Sequence, residues 1–498
     1  MSGFARANIN VSDSSIQANN TNAGLIAVIG MTEHGDLNKP IIVSNPLEYQ
    51  RKFGNLLPVT VSLFPLYCMR ALQAGAKLLI CSIARASTGT KATCSLSGGA
   101  LVATSKNAGD YANSISIKIS TAISRTATLV DILISNTDGT ISQVFKDVSN
   151  TQTTNSIAIL NATSSFVVFD SGVTTFSVGT YSFTGGIAPS APIASDYIGD
   201  AVAKTGIYAF DSYSGFTDIC AMDIADNNVD NAIVNYCTMR GDCYAILRTP
   251  LATTTGDSVL TYCNAVSPYT GSAVNAIGVV MTTGYSSINH PTITGATINI
   301  SEVDNYVAAT SIKNAKDFAW VSVANPKYSL ITNVNGVVVN YAAAGLSSDA
   351  DAIVNAGITP IVQLQNGEVR IFGNDTLYSG KGLLKKRHIA DLVMFLRKKF
   401  QGFANAQLFT PNDIETWRTL NRLMSAVLEN AKTNRGLYEY AYYGDQDVSK
   451  IEDVRVNTVS GIAAGNYTAI IEIFPINTLE RITINLNVVG SSITTSVK

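Results

Sequence analysis

Charged residues are scarce in this sequence of 498 residues. Lysine and arginine number 34 and aspartate and glutamate 36, so 14% of the chain is charged and the net charge is −2. An ordinary soluble domain is about one quarter charged. The near-neutral balance argues against a global basic field for nucleic acid or membrane surfaces, and the 46% hydrophobic content excludes a disordered chain. Serine, threonine and asparagine supply the polarity instead, which suits a protein that lies against neighbours.

Long apolar runs, histidines and paired cysteines are also lacking. No segment approaches the roughly 20 apolar residues of a membrane helix, and the start MSGFARANINVSDSS has no apolar core typical of a secretion signal. Three dispersed histidines and seven cysteines without a C-x-x-C pair predict no metal site. We expect a chain that folds in a cytoplasm without membrane insertion, with Cys68 and Cys81 buried and Cys237 and Cys243 reduced.

Two features invite an enzymatic interpretation, and neither has the required spacing. Residues 379–382 (SGKG) resemble a phosphate-binding loop, but Asp375 stands where the first glycine is needed and a glycine follows the lysine. The four aspartates between residues 218 and 230 miss the spacing of a calcium loop, and three of them fit the solvated face of a helix. No G-x-S-x-G nucleophile motif occurs. The sequence therefore predicts no catalytic residues and no cofactor.

Strand and helix patterns alternate on both sides of a segment of different composition. Residues 24–30 (GLIAVIG) and 78–83 read as buried strands, with a helical pattern at 46–53 between them, which predicts parallel pairing. The pattern resumes with a helix at 227–239 and an apolar strand at 243–247. The interruption predicts a domain inserted into an α/β domain.

The interrupting segment, residues 91–190, is rich in β signals and poor in charge. It holds ten charged residues and no glutamate, and Ile115, Ile117 and Ile119 alternate with polar residues. It ends at Gly185–Gly186. We predict a separate β domain.

The last 118 residues form a different pattern. A helix is predicted over 383–403, and a second begins with Thr410 as N-cap, Pro411 at the first position and Asp413 three residues after the cap. Its apolar stripe runs from Ile414 to Ala431. Alternating strands are predicted around Tyr438–Tyr442 and at the C-terminus.

The predicted fold class is therefore a multidomain protein with α/β and α+β parts. The predicted domains are an N-terminal arm at 1–20, a discontinuous α/β domain at 21–90 and 191–380, an inserted β-rich domain at 91–190, and a C-terminal α+β domain at 381–498.

One charged segment stands out. Residues 381–400 carry seven basic residues and one acid, Asp391, a local charge of +6. The pattern fits either a solvated helix face or a strip that docks on an acidic partner. Nucleic acid is disfavoured because no aromatic residues are interleaved regularly with the cations. The candidate strip consists of Lys385, Lys386, Arg387, Arg397, Lys398 and Lys399.

The order of short motifs along the chain resembles the contractile tail sheath proteins of bacteriophages and related contractile injection particles. The matching segments are 24–30, 40–44 (PIIVS), 53–54 (FG), 74–78 (AGAKL), 106–113 (KNAGDYAN), 185–186, 243–250 (CYAILRTP), 319–324 (AWVSVA), 370–377 (RIFGNDTL) and 409–412 (FTPN) with Trp417. The chain departs from the family pattern at Tyr111, which replaces a tryptophan, at Ala112, which replaces a glycine, and at Asp375, which replaces an arginine. It also departs at Val323–Ala324, where the family's proline and glycine are lacking.

The resemblance implies a structural subunit in the contractile tail of a particle, assembled in a bacterial cytoplasm. It implies hexameric rings stacked around a tail tube protein, with baseplate and tail terminator proteins as further partners. It also implies that the C-terminal domain lies nearest the tube, that the inserted domain lies outermost, and that terminal strands are exchanged between subunits. The candidate exchanged residues, which alternate near the chain ends, are Ala7, Asn8, Ile9, Asn10, Val11, Ile482, Ile484, Leu486 and Val488.

Two other classes of protein stay open at this point. A surface or adhesin-type protein rich in serine, threonine and asparagine would share the composition but is expected to carry an export signal. A nucleotide-dependent α/β enzyme would share the strand–helix pattern but is expected to carry a phosphate-binding motif.

Overall fold

The computed structural model describes residues 24–85, 88–96, 101–123, 128–170, 175–251, 255–265, 277–341, 347–378, 382–444 and 456–480. Two compact units divide the chain, Met1–Met394 and Phe395–Lys498. The division falls later than the boundary predicted at residue 381, because buried ion pairs hold the segment just before Met394 in the first unit.

The first strands and helices follow the predicted α/β order. They are β1 (Leu25–Met31), β2 (Ile41–Val43), α1 (Pro46–Phe53), α2 (Phe64–Gln73) and β3 (Lys77–Ile83). The Asn45 side chain caps α1 by accepting from the Glu48 amide, and Gly54 ends the helix with φ +85°. β1 is buried along its whole length and pairs in parallel with β3, as predicted.

The segment rich in β signals forms two antiparallel sheets of its own. Its elements are β4 (Thr93–Leu96), β5 (Leu101–Ser105), a 3-10 helix (Asp110–Ser114), β6 (Ile115–Thr121), β7 (Leu129–Asn136), β8 (Ser142–Ser149), α3 (Thr154–Thr163), β9 (Val167–Phe169) and β10 (Gly179–Ser182). The strand orders are β10-β6-β7-β8 and β4-β5-β9. Inward residues such as Ile117, Ile132 and Phe169 form a hydrophobic core separate from that of the α/β part.

The chain then returns to the α/β part. Its further elements are α4 (Ala194–Ile198), a 3-10 helix (Gly206–Ser212), β11 (Asp218–Cys220), α5 (Asn227–Arg240), β12 (Tyr244–Arg248), α6 (Gly256–Ala265), β13 (Val280–Thr283), β14 (Tyr285–Asn289), β15 (Thr297–Ser301), α7 (Val303–Lys316), β16 (Leu330–Ile331), β17 (Gly336–Val337), α8 (Ser347–Asn355), β18 (Ile358–Gln363), β19 (Val369–Ile371) and a 3-10 helix (Leu383–Lys385). Helix α9 (Arg387–Gln407) runs across the division between the units.

Strands from both sides of the β-rich segment share one nine-stranded sheet, in the order β16-β19-β18-β13-β12-β11-β1-β3-β2. Its central six strands are parallel and its outer strands antiparallel. Alternate residues of β1 belong to two hydrophobic clusters, one on each face of the sheet. Ala27 and Ile29 belong to one cluster, and Ile26 and Val28 belong to the other. A sheet buried on both faces explains why its strands read as continuous apolar runs.

The second unit contains the end of α9, then α10 (Ile414–Thr433), β20 (Leu437–Tyr443), α11 (Val459–Ala463) and β21 (Ile470–Pro475). The predicted apolar stripe of α10 is buried at Trp417, Leu420 and Met424. The predicted start of α10 was wrong: Asp413 is the N-cap and accepts from the Thr416 amide at 3.0 Å. The Thr410 hydroxyl instead donates to the Gln407 carbonyl, at the end of the preceding helix.

Candidate functional site

The start of α9 is held inside the first unit by charges. The guanidinium of Arg387 donates to Asp391 at 2.7 Å, to the Gly278 carbonyl at 2.6 Å and to Asp218, and it lies 5.1 Å from the centre of the Tyr244 ring. Arg387 is only 2% exposed. Its assignment to an exposed docking strip was therefore wrong, because two buried carboxylates occupy its donors.

Lys313 of α7 completes this buried cluster. Its ammonium lies 3.0 Å from Asp391 and 2.9 Å from the Ala319 carbonyl. Burial alone would raise the pKa of Asp391, but the charges of Arg387 and Lys313 lower it below its ordinary value. The cluster contains two basic and two acidic side chains, so their formal charges cancel. We call Asp218, Lys313, Arg387 and Asp391 the buried charge cluster.

The neighbouring lysines are also engaged in the first unit. The Lys386 ammonium pairs with Asp375 at 2.7 Å, and the Lys385 ammonium donates to the Asn355 carbonyl at 2.7 Å. Asp375 is the residue that departs from the resembled family pattern, and its carboxylate neutralises part of the predicted strip. Lys385 and Lys386 are partly exposed.

The remaining strip residues lie on the part of α9 in the second unit. Arg397 is exposed and Lys398 and Lys399 are partly exposed. The Lys399 ammonium lies 5.8 Å from the centre of the Phe395 ring, a weak cation–π contact. We call Arg397, Lys398 and Lys399 the exposed basic patch.

The two-stranded sheet of the second unit has one face against α10 and one in solvent. The Tyr440 hydroxyl bonds Glu429 of α10 at 3.3 Å and the Tyr442 hydroxyl bonds that of Tyr467 at 2.8 Å. Within the described part of the chain, no third strand joins β20 and β21. The large exposed side chains of these two strands are Tyr438, Tyr443, Ile470 and Phe474.

The candidate exchanged strands at 7–11 and 482–488 lie outside the described residues, and so does the predicted turn at 379–381.

Side chains of the protein bond to one another at the place where open α/β sheets bind ligands. That place is the crevice at the carboxyl ends of the strands, where the strand order reverses, here between β1 and β11. Asp223 follows the end of β11 and accepts from the Ser62 hydroxyl at 2.6 Å and the Tyr197 hydroxyl at 2.8 Å. Burial raises the pKa of Asp223. The Asp223 carboxylate therefore links its own segment by hydrogen bonds to the segments of Ser62 and Tyr197.

The prediction that three of the four aspartates between residues 218 and 230 lie on a solvated helix face was wrong, because only Asp230 lies within α5 and it is buried. Asp218 belongs to the buried charge cluster, and Asp226 caps α5 by accepting from the Asn228 and Val229 amides. Asp230 is buried, accepts from the Tyr262 hydroxyl at 2.7 Å, and has its pKa raised to about 7 by burial. The sequence missed this because Tyr262 belongs to the next helix.

The described residues were also compared with the requirements of a metal site, a membrane helix and a disulfide bond. They hold no group of three or more histidine, cysteine, aspartate or glutamate side chains that could bind a metal ion. No described helix has the length and hydropathy to cross a membrane. The seven cysteines are buried free thiols, and the Cys237 and Cys243 sulfurs are 3.7 Å apart without a disulfide.

The fold is that of contractile tail sheath proteins. The chain is similar to the crystal structure of a sheath tail protein from Listeria innocua, with a TM-score of 0.61, 12% sequence identity, and coverage of 91% of this chain and 95% of that chain. A sheath tail protein from Desulfitobacterium hafniense matches with a TM-score of 0.54 at 15% identity, covering 85% and 91%.

A third similar structure is the helical sheath of the anti-feeding prophage in its contracted state, with a TM-score of 0.54, 11% identity and coverage of 94% and 93%. No protein-family profile matches the sequence, and no curated protein matches it at a significant level. The likeness is therefore carried by the fold over nearly the whole chain.

Proposed function

We propose that this protein is the structural subunit of a contractile tail sheath, which polymerises as stacked, hexameric rings around a tail tube. Contraction of the sheath drives the tube through the host envelope, without an enzymatic step or a cofactor. The observation that carries the proposal is the structural match over more than 80% of both chains to sheath proteins, one of them in a contracted sheath.

The proposed domain arrangement places the α/β part in the wall of the sheath, the inserted domain outermost and the C-terminal unit nearest the tube. The sharing of one sheet by strands before and after residues 91–190 supports the insertion. The low charge of that segment suits a neutral polar outer surface, and the exposed basic patch suits an inner surface that meets an acidic tube.

We infer that strands 7–11 and 482–488 join subunits by adding to sheets of neighbouring copies. β20 and β21 supply a suitable acceptor, because a two-stranded sheet offers backbone donors and acceptors along its outer edges. Backbone pairing of this kind tolerates a large rigid-body movement of the subunits it connects. Baseplate and tail terminator proteins would bind the two ends of the polymer.

Charge reversal tests the exposed basic patch as a tube-facing surface. A variant with Arg397→Glu, Lys398→Glu and Lys399→Glu should assemble on tubes of the same particle about tenfold less well at low salt, and the defect should shrink at high salt because ions screen surface charges. Co-sedimentation of sheath with tubes at two salt concentrations measures it.

The matched control makes the same charge change on the inserted domain, at the exposed residues Lys91, Lys118 and Lys146. Its assembly should stay near that of the unmodified protein. Equal defects in both variants, or a defect of the patch variant that salt does not change, would show that the exposed basic patch is a solvated helix face without a role in binding the tube.

A further inference from the structure

A histidine lies where the inserted domain meets the α/β part. His34 follows β1 in the loop toward β2, yet it is only 3% exposed. Its ring packs between two aromatic rings of the inserted domain, at 5.3 Å from Tyr111 and 5.5 Å from Phe166 between centroids. On its other side, the carbon Cδ2 lies 2.9 Å from where a Cβ on Gly54 would be. The ring therefore fills the contact between the two domains.

Polar contacts around the ring fix the same junction. The Asn107 side chain accepts from the Gly35 amide at 3.2 Å and donates to the Gly35 carbonyl at 2.7 Å. The Lys106 amide donates to the Phe166 carbonyl at 2.8 Å, which ties the two aromatic segments together. The Asn107 bonds join the loop after β1 to the inserted domain, so separation of the domains would break them along with the ring packing.

By geometry, neither ring nitrogen of His34 has a hydrogen-bond partner among the described residues, although the nearby backbone carbonyl of Lys52 favours the protonated ring and so acts against the effect of burial on its pKa. A neutral imidazole in this place loses its hydrogen bonds to water, but an imidazolium would be a buried and uncompensated charge, which costs far more. Burial accordingly lowers the pKa of His34 to about 4. The contact between the two domains therefore favours the neutral form of the His34 ring.

The charged and titratable groups around the ring do not supply a counter-charge. They are Glu33 and Asp36 on its own loop, Lys52 at the end of α1, which acts on the ring through its backbone carbonyl, and Lys106 and Tyr111 on the inserted domain. Asp110 and Asp138 of the inserted domain act on Glu33. Lys106 pairs with Asp36 at 3.8 Å, and the Lys52 ammonium pairs with Glu48 at 2.8 Å.

The adjacent carboxyl group is the one candidate for stabilising an imidazolium. Glu33 accepts from the Asn55 amide at 2.7 Å, and burial raises its pKa above the ordinary value of 4.5. The raised pKa of Glu33 reduces the negative charge that it can offer to an imidazolium as the pH falls.

We propose that protonation of His34 at low pH releases the inserted domain from the α/β part. With a neutral ring the domain is docked on the α/β part, and protonation of the ring favours the undocked arrangement, in which the imidazolium reaches water. The docking free energy is at its full value above pH 6.5, where His34 is neutral in both arrangements. It falls as the pH drops from 6.5 toward 4, because only the undocked ring gains a proton in that range.

Hydrogen exchange measured by mass spectrometry tests the release on the full-length protein at pH 7.5 and pH 4.5. After correction for the chemical exchange rate, amides in residues 30–38 and 101–114 should open about 70-fold more often at pH 4.5, as follows from ring pKa values of about 4 docked and 6.5 undocked. Amides of β12 in the central sheet should change much less.

Two non-titrating variants, His34→Phe and His34→Gln, distinguish this mechanism from general acid unfolding. Either one that retains wild-type protection at pH 7.5 should lose most of the 70-fold response, whereas His290→Phe, at a loop histidine outside the junction, should keep it. Wild-type junction amides that are equally protected at both pH values would overturn the proposal. So would a variant that opens in acid as much as the wild type.

Discussion

Replacement of Arg387 by methionine should lower the free energy of unfolding of the first unit by about 3–5 kcal/mol, the largest stability effect we expect from one substitution. Methionine fills much of the same space but leaves the Asp218 and Asp391 carboxylates buried without their main counter-charge. Breaking a buried ion pair from one side costs this much because the remaining charge cannot reach water, and Lys313 pairs with Asp391 but not with Asp218.

The two tryptophans permit a measurement specific to the first unit. Trp320 lies in the first unit and Trp417 in the second, so a Trp417→Phe background leaves Trp320 fluorescence as the reporter in urea unfolding. Arg397→Met is the matched control on the exposed part of the same helix and should change the free energy by less than about 0.5 kcal/mol. Adding Asp218→Asn to Arg387→Met should recover part of the loss. A similar small change for Arg387→Met and Arg397→Met would refute the stabilising role of the buried charge cluster.

Removal of residues 1–12 should strongly weaken polymerisation while the subunit still folds. If strand exchange supplies even three backbone hydrogen bonds at about 1 kcal/mol each, their loss raises the concentration needed for assembly on the order of 100-fold. High-speed sedimentation over a concentration series measures the shift, and Trp320 emission checks that the α/β part remains folded.

A matched pair of substitutions at the other end of the chain separates backbone pairing from side-chain packing. Ile484→Pro removes a backbone donor and should impair assembly as the deletion does, whereas Ile484→Val keeps the donor and a branched side chain and should assemble normally. If the deletion and the proline variant both form polymers at the wild-type concentration, subunits are not joined by exchanged strands.

Periodicity and composition predicted those elements that depend on local rules. β1 and β3 were recognisable because strands buried on both faces are apolar throughout, and α10 because its stripe of Trp417, Leu420 and Met424 repeats at helical spacing. The change of composition at residue 91 marked the β-rich segment because its sheets have their own core. Each of these signals lies within a short stretch of sequence.

Burial of charge was not predictable by the same rules. Arg387 reads as part of a basic run, and only Asp391, four residues later on the same helix face, hinted at a pair; Asp218 and Lys313 come from distant parts of the chain. The burial of His34 has no local signal, because an inserted domain that starts about 60 residues later covers the loop that holds it. Long-range placement decides the burial and the partners of these groups.

The most direct test of the proposed function is electron microscopy of the purified, concentrated protein. A sheath subunit should form helical tubes of stacked rings with six subunits per ring, in one or two diameters according to whether the extended or the contracted lattice forms. The same preparation lacking residues 1–12 should show dispersed subunits. Dispersed subunits or irregular aggregates from the full-length chain, at concentrations far above those that assemble the tube, would contradict a sheath function.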